Sequence, residues 1–227
     1  MHIRPRHPLR WILCGVAVAI ALVVGGTFVF IHFVEGEAPP ALAASASTAV
    51  QSATGSVAGN WQVAQGQAGY RVEEVLNGQS NTAVGRTTAV TGGLTATPTK
   101  VTEAKFTVDL TKVASDQARR DGQFQDRIMQ TSQFPTATFT LVDPVDLATL
   151  ATAAGTRTVD VHGTLALHGT TKDVTVPLTV VRSGATLTIS GQVPVVFADY
   201  GIDNPSFGFV KTEDQGTIEI LLHLTKA

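Results

Sequence analysis

Apolar and polar positions follow two rhythms along this chain. Residues 11–34 carry no charged side chain and are dominated by Val, Ile, Ala, Leu, Phe and Gly. Beyond residue 60 the apolar positions recur at every second residue, the period of a half-buried strand. In residues 101–113, Ala104, Phe106, Val108 and Leu110 share one face, with Lys105, Thr107, Asp109 and Thr111 opposite. Phe139 and Leu141 stand opposite Thr138 and Thr140. Residues 159–168 put Val161, Gly163, Leu165 and Leu167 on one side. Val174, Val176, Leu178 and Val180 alternate with Thr175, Pro177 and Thr179. Leu187 and Ile189 open a strand that runs on through Val193, Val195 and Phe197. In the last strand Ile218, Ile220, Leu222 and Leu224 alternate with Glu219, Leu221 and His223. Residues 69–76 and 81–97 supply earlier strands with a weaker pattern. Turn residues divide the set at Asn77-Gly78, His168-Gly169, Ser183-Gly184 and Asp214-Gln215-Gly216.

Residues 115–131 break the alternation. Ser115 or Asp116 is placed to cap a helix, and Phe124 and Ile128, four apart, share a helical face. One or two short helical turns are expected here, carrying Phe124, Ile128 and Met129 over an opening or against a sheet. Phe134-Pro135 then restarts extended chain. About eight antiparallel strands with no second linker favour one closed barrel over tandem sandwiches, because closure removes exposed edges. A barrel of that size is either filled by its own side chains or holds one small ligand.

The apolar run at 11–34 reads as a transmembrane helix. It spans about 36 Å at roughly 1.5 Å per residue, against a hydrocarbon core of about 30 Å. Arg4, Arg6 and Arg10 precede it and Glu35 and Glu37 follow it, so the N-terminus is expected in the cytoplasm and the rest outside. The rival reading is a cleaved signal peptide, with Ala41-Leu42-Ala43 as the small-residue recognition pattern, but the run is longer than an ordinary h-region. Cys14, the only cysteine, falls inside the run as a small apolar residue, so no intramolecular disulfide forms. His32 lies near its outer end. Residues 35–59, rich in Ala, Ser, Pro, Gly and Thr, are expected to form a disordered tether. The organisation is thus a basic tail at 1–10, the helix at 11–34, the linker at 35–59 and a barrel domain at 60–227.

Charge narrows the function. A net charge of -2 with 15% charged residues lacks the basic excess of a nucleic-acid binder. His162 and His168 share a strand face, but six residues separate them by about 20 Å at roughly 3.3 Å each, too far for one metal. His223 joins one of them only if their strands are neighbours. Asp143 and Asp146 flank Pro144 in a turn, and Asp199 and Asp203 form an incomplete calcium set. Arg119-Arg120-Asp121 reads as a solvated face or helix-end pair, with contact to a headgroup phosphate as its functional alternative. No nucleophile elbow, phosphate loop or zinc-protease motif occurs. No catalytic residue, metal or cofactor is therefore assigned.

Several segments, in order, resemble the YceI-like family of polyisoprenoid-binding, lipocalin-like bacterial domains. Trp61 with Gly69-Tyr70-Arg71-Val72 resembles its first hairpin. Gly92-Gly93-Leu94 ahead of residues 101–110 resembles a glycine-turned second hairpin. Arg119-Arg120-Asp121-Gly122-Gln123-Phe124 and then Phe134-Pro135-Thr136-Ala137-Thr138-Phe139 are the most specific match. Residues 161–172, with Gly163, Leu165, Gly169, Thr171 and Lys172, are similar to a later hairpin, and Asp199-Tyr200-Gly201-Ile202 to an aromatic–Gly turn. Gly78, Gln79, Ser80, Asn81 and Thr82 depart from it by being small and polar. The resemblance implies an eight-stranded antiparallel barrel whose apolar lumen takes an isoprenoid or similar chain. The lumen candidates are Phe106, Val108, Phe139, Leu141, Val161, Leu165, Leu167, Val176, Leu178 and Phe197, with Phe124, Ile128, Met129 and Phe134 at the mouth. A filled barrel serving as an envelope interaction module is the second reading. A hydrolase or redox accessory, marked by His223 clustered with another titratable group, is the third.

Overall fold

The alternating segments become strands, and the strands close on themselves. The computed structural model describes residues 8–29, 38–44, 56–76, 78–147, 155–183, 185–208 and 210–227. Helix α1 (Pro8–Val29) precedes β1 (Gly59–Leu76), β2 (Gln79–Thr87), β3 (Val90–Ala96) and β4 (Lys100–Asp109). Helix α2 (Ala118–Gln123) runs straight into a π-helical turn at Phe124–Ile128. Then come β5 (Thr136–Leu141), β6 (Val145–Asp146), β7 (Gly155–Leu167), β8 (Thr170–Ser183), β9 (Thr186–Val196), β10 (Val210–Thr212) and β11 (Gln215–Lys226).

Eight strands make the barrel wall in the order β1, β11, β9, β8, β7, β5, β4, β3, and β3 returns to β1 through Trp61 opposite Leu94. Every pairing is antiparallel. Strand β2 covers the far half of β1, and the short β6 and β10 pair with β4 and β1. The His168-Gly169 turn has positive φ at both residues, 49° and 76°, the hairpin geometry that suits right-twisted strands. The last turn falls before Gln215, so Gln215 and Gly216 belong to β11. Asn77 and Gly184 lie outside the described residues.

Strand β1 is longer than its pattern indicates. A register shift between Val63 and Gln65 switches which residues face inward: Trp61 and Val63 before it, Gly66, Ala68 and Tyr70 after it. A bulge of this kind bends a strand and erases its period-2 signature. Gly92 and Gly93 correct another expectation. They sit inside β3, not in a turn. A Cβ on Gly92 would lie 2.1 Å from the Lys105 carbonyl oxygen, and one on Gly93 2.1 Å from that of Trp61. Gly92 also has φ 124°, which L side chains avoid. Gly92→Ala is therefore expected to cost about 2–3 kcal/mol by urea unfolding, the sum of backbone strain and displacement of β4.

The capping expectation also changes. Gln117 occupies the α2 N-cap without a side-chain bond. Ser115 instead donates from N and Oγ to Asp121 Oδ1, at 2.7 and 2.6 Å. Asp116 pairs with Arg120, one turn on.

One end of the barrel is packed solid. Trp61, 1% exposed, is surrounded by Leu94, Leu147, Leu222 and Leu224, and its Nε1 donates to the Val57 carbonyl at 2.8 Å. Lys226 Nζ lies 5.5 Å from the centre of the Trp61 ring and donates to the carbonyls of Ser56 and Ala58.

Two observations concern the chain before the barrel. Among the described residues no helix is long and apolar enough to cross a membrane. The described side chains of α1 run from Gly15 to Gly26, and Val16, Val18, Ile20 and Leu22 are all exposed. His32, the Cys14 side chain and residues 45–55 of the expected tether lie outside the described set. Residues 38–44, expected to be part of that tether, lie against the outer wall of the barrel with Leu42 buried. The partners that hold them lie between 32 and 177 residues away in sequence, so local composition carried no sign of them.

Candidate functional site

The inward faces of β1, β2, β4, β5, β9 and β11, together with the α2 segment, enclose an apolar cavity of about 720 Å³. That lies within the range typical of small-molecule sites. Ala68, Tyr70, Val72, Leu76 and Ala83 line one side, and Val108, Leu110, Val113 and Ala137 line another. Val195, Phe197, Ile202 and Ile218 complete the wall, and Phe124, Ile128 and Met129 close over it from the α2 segment. The π-helical turn matters here. Met129 N donates to the Phe124 carbonyl at 2.8 Å, and the widened turn buries Phe124 and Met129 together. Phe124 stacks on Tyr70 with ring centres 4.9 Å apart.

A waist separates this chamber from the base. Val108 and Leu178 pack against both the upper and the lower core. Two glycines make room for the large side chains: a Cβ on Gly163 would meet the Phe139 ring at 2.4 Å, and one on Gly191 would meet Leu178 Cδ2 at 2.5 Å. Below the waist only about 70 Å³ remains, lined by Phe106, Phe139, Leu141, Val161 and Leu178 among others.

The expected lumen residues therefore divide into groups. Val108, Phe124, Ile128, Met129, Leu167 and Phe197 line the upper chamber. Phe106, Phe139, Leu141, Val161 and Leu178 line the small lower space. Leu165 and Val176 are buried in the core around the upper chamber without lining it. Phe134 is not at the mouth: its ring meets His168 edge-on at 4.7 Å and covers Gly169. Sequence reading missed Tyr70, Val72, Leu76, Ala83, Val113, Ile202 and Ile218. Tyr70, Val72 and Leu76 lie beyond the β1 bulge, and Val113 and Ile202 lie just outside strands.

Polar side chains border the opening: Glu74, Gln117, Arg119, Arg120, Thr212 and Thr217, with Pro205 and Phe207 among them. Glu74 accepts from Asn81 Nδ2 at 2.7 Å and pairs with Arg120 at 3.5 Å. Arg127 donates to the Pro205 carbonyl at 2.8 Å and lies over the exposed Phe207 ring. Burial pushes the Tyr70 phenol far above its ordinary range. Arg120 opposes the shift, and Asp121 and Glu74 reinforce it. The chamber wall thus presents a neutral hydroxyl.

The histidines are dispersed. His162 Nδ1 pairs with exposed Asp143 at 2.7 Å, His168 Nδ1 donates to the Tyr200 carbonyl at 3.1 Å, and His223 Nδ1 bonds Thr188 Oγ1 at 3.0 Å. Asp146 sits in β6 opposite Lys100, and Asp199 lies in the 3-10 turn Phe197–Tyr200. Among the described residues no group of three or more His, Cys, Asp or Glu converges on a metal position.

Comparison with known proteins places this geometry among relatives. The model of the YceI-like domain matches residues 48–224. A polyisoprenoid binding domain from Saccharophagus degradans, implicated in plant cell wall breakdown, is similar with 21% identity and a TM-score of 0.61, over 74% of this chain and 98% of that one. Burkholderia cenocepacia BcnA is similar with 22% identity and a TM-score of 0.52, over 68% and 95%. The Campylobacter jejuni YceI protein shows 15% identity and a TM-score of 0.50, over 61% and 81%. No curated protein matches the chain.

Proposed function

Because the chain belongs to the YceI-like domain family, we propose that its barrel is a non-catalytic carrier of one long apolar chain, isoprenoid-like in character. The observation that carries this reading is the upper chamber: about 720 Å³ of hydrocarbon-walled space, open at one end and closed at the waist. If each carbon takes about a water's share, roughly 30 Å³, the chamber holds on the order of twenty to twenty-five of them. Glu74 and Arg120 at the opening are paired with each other and the wall behind them is apolar, which leaves burial of the chain as the driving force. We further propose that residues 11–34 anchor the protein in the cytoplasmic membrane, with the barrel on the outer side. Basic residues at 4, 6 and 10 support that orientation. The filled-barrel reading fits only the lower half of the lumen.

The test is a length series of prenyl alcohols, from about ten to about forty carbons. At about 0.8 kcal/mol per methylene, affinity rises about fourfold per added methylene until the chamber is full, then levels off near twenty-five carbons. Affinity that ignores chain length contradicts the proposal.

A further inference from the structure

Residues 38–44 lie across the outside of the barrel, over a buried carboxylate. Glu219 belongs to the outward face of β11, with Leu221 and His223, yet it is 0% exposed. Arg71 Nε reaches its Oε1 at 2.6 Å, and Arg86 Nη2 its Oε2 at 3.0 Å. The same guanidinium groups hold the crossing segment: Arg71 Nη2 donates to the Pro39 carbonyl at 2.6 Å, and Arg86 Nη2 to the Pro40 carbonyl at 2.5 Å. The Leu42 amide points at Glu219 Oε2 from 3.4 Å, and the Ala44 amide donates to Ser190 Oγ at 2.9 Å.

The peptide chemistry matches the groove. Pro39 and Pro40 have no N–H and hold the chain extended. They therefore offer only carbonyl acceptors, where the wall offers only guanidinium donors. Among the residues that do carry N–H groups, Leu42 meets a carboxylate and Ala44 a hydroxyl. Ala41 and Ala43 are small, and the one large side chain, Leu42, is 7% exposed.

The direction of the crossing is informative. Its first residues, Ala38 and Pro39, share a surface recess with Thr82, Arg86, Asp116 and Arg120, and Arg120 also stands at the chamber opening. Its last residue meets Ser190, which pairs with Leu221, on the base side of Glu219. The chain therefore arrives at the rim.

We propose that residues 38–44 are a strap whose docking over Glu219 holds the chamber opening against the membrane surface where the N-terminal helix ends. This rests on the anchoring reading given above. Undocked, residues 35–58 separate the anchor from β1. Docked, only residues 35–37 remain between the anchor and the strap, and at about 3.5 Å each they reach no more than roughly 10 Å. An apolar ligand then passes between bilayer and chamber without crossing open water.

The test uses the full chain with Cys14→Ser in lipid nanodiscs. Hydrogen exchange at the Leu42 and Ala44 amides is expected to be at least roughly tenfold slower than in an unstructured peptide. L42D, which alters no barrel residue, is expected to abolish that protection while the melting temperature of the barrel is kept. A fluorophore at Pro205→Cys, quenched by lipid-borne quenchers in the parent, is expected to lose most of that quenching in L42D. Unprotected amides, or equal quenching with the strap docked and released, overturns the proposal. A chain that does not enter nanodiscs overturns the anchoring reading and the proposal with it. Lipid uptake in detergent is measured in parallel: it is expected to be unchanged in L42D, so failure of carriage is read separately.

Discussion

Ala137→Phe lowers affinity for a prenyl chain by about a hundredfold while leaving the barrel folded. Ala137 is buried on β5 opposite Val108, and its methyl group faces the upper chamber. A benzyl group at that position takes the room of about four methylenes, or about 3 kcal/mol of burial at about 0.8 each, which is about two decades of affinity. Overpacking normally costs about 1–3 kcal/mol, and here the ring enters existing space, so the expected loss of stability is at the low end. The measurement is a binding isotherm for a prenyl alcohol of about twenty carbons, with thermal melting as the control. Unchanged affinity in a folded variant would place the ligand elsewhere.

Trp61→Ala has the opposite signature. Trp61 closes the base under the waist, with its indole N–H bonded to Val57 and its ring covered by Lys226. Its removal leaves a large hole and two lysine-held carbonyls without their apolar floor. The expected cost is about 3–5 kcal/mol in chemical denaturation. Prenyl affinity, read at a temperature where the variant is folded, stays within about twofold of the parent, because the waist at Val108, Phe139 and Leu178 lies between Trp61 and the chamber. Together the two variants assign stability to the base and binding to the chamber.

The parts of the fold that were legible in the sequence share a cause. Strands β7, β8, β9 and β11 keep an apolar residue or glycine at every second position over most of their length, so Val161, Leu165, Val176, Ile189 and Leu222 announced their faces. Strand β1 did not. Its bulge switches the inward residues from odd to even numbers, and two of the residues beside the lumen or a neighbouring strand there, Gly66 and Gly69, have no side chain to show a pattern. The closed barrel was legible because its strands were countable. The size of the cavity was not, since it depends on glycines 163 and 191 admitting Phe139 and Leu178 at the waist and on small residues, Ala68, Ala83 and Ala137, standing above it. Phe134 read as a mouth residue from its place after the helical segment, but the left-handed His168-Gly169 turn gives its ring another seat. The strap was invisible for a different reason. Its one anchor is a lone leucine among alanines and prolines, and its partners Arg71, Arg86, Ser190 and Glu219 are supplied by strands it does not adjoin in sequence.

The most direct test of the central claim is native mass spectrometry of the full chain, extracted in detergent from a bacterial envelope and then treated with solvent. The account predicts one long-chain lipid adduct per chain, recovered in the solvent extract and absent from Ala137→Phe. A bare protein mass, together with no uptake of added polyprenols, would contradict it.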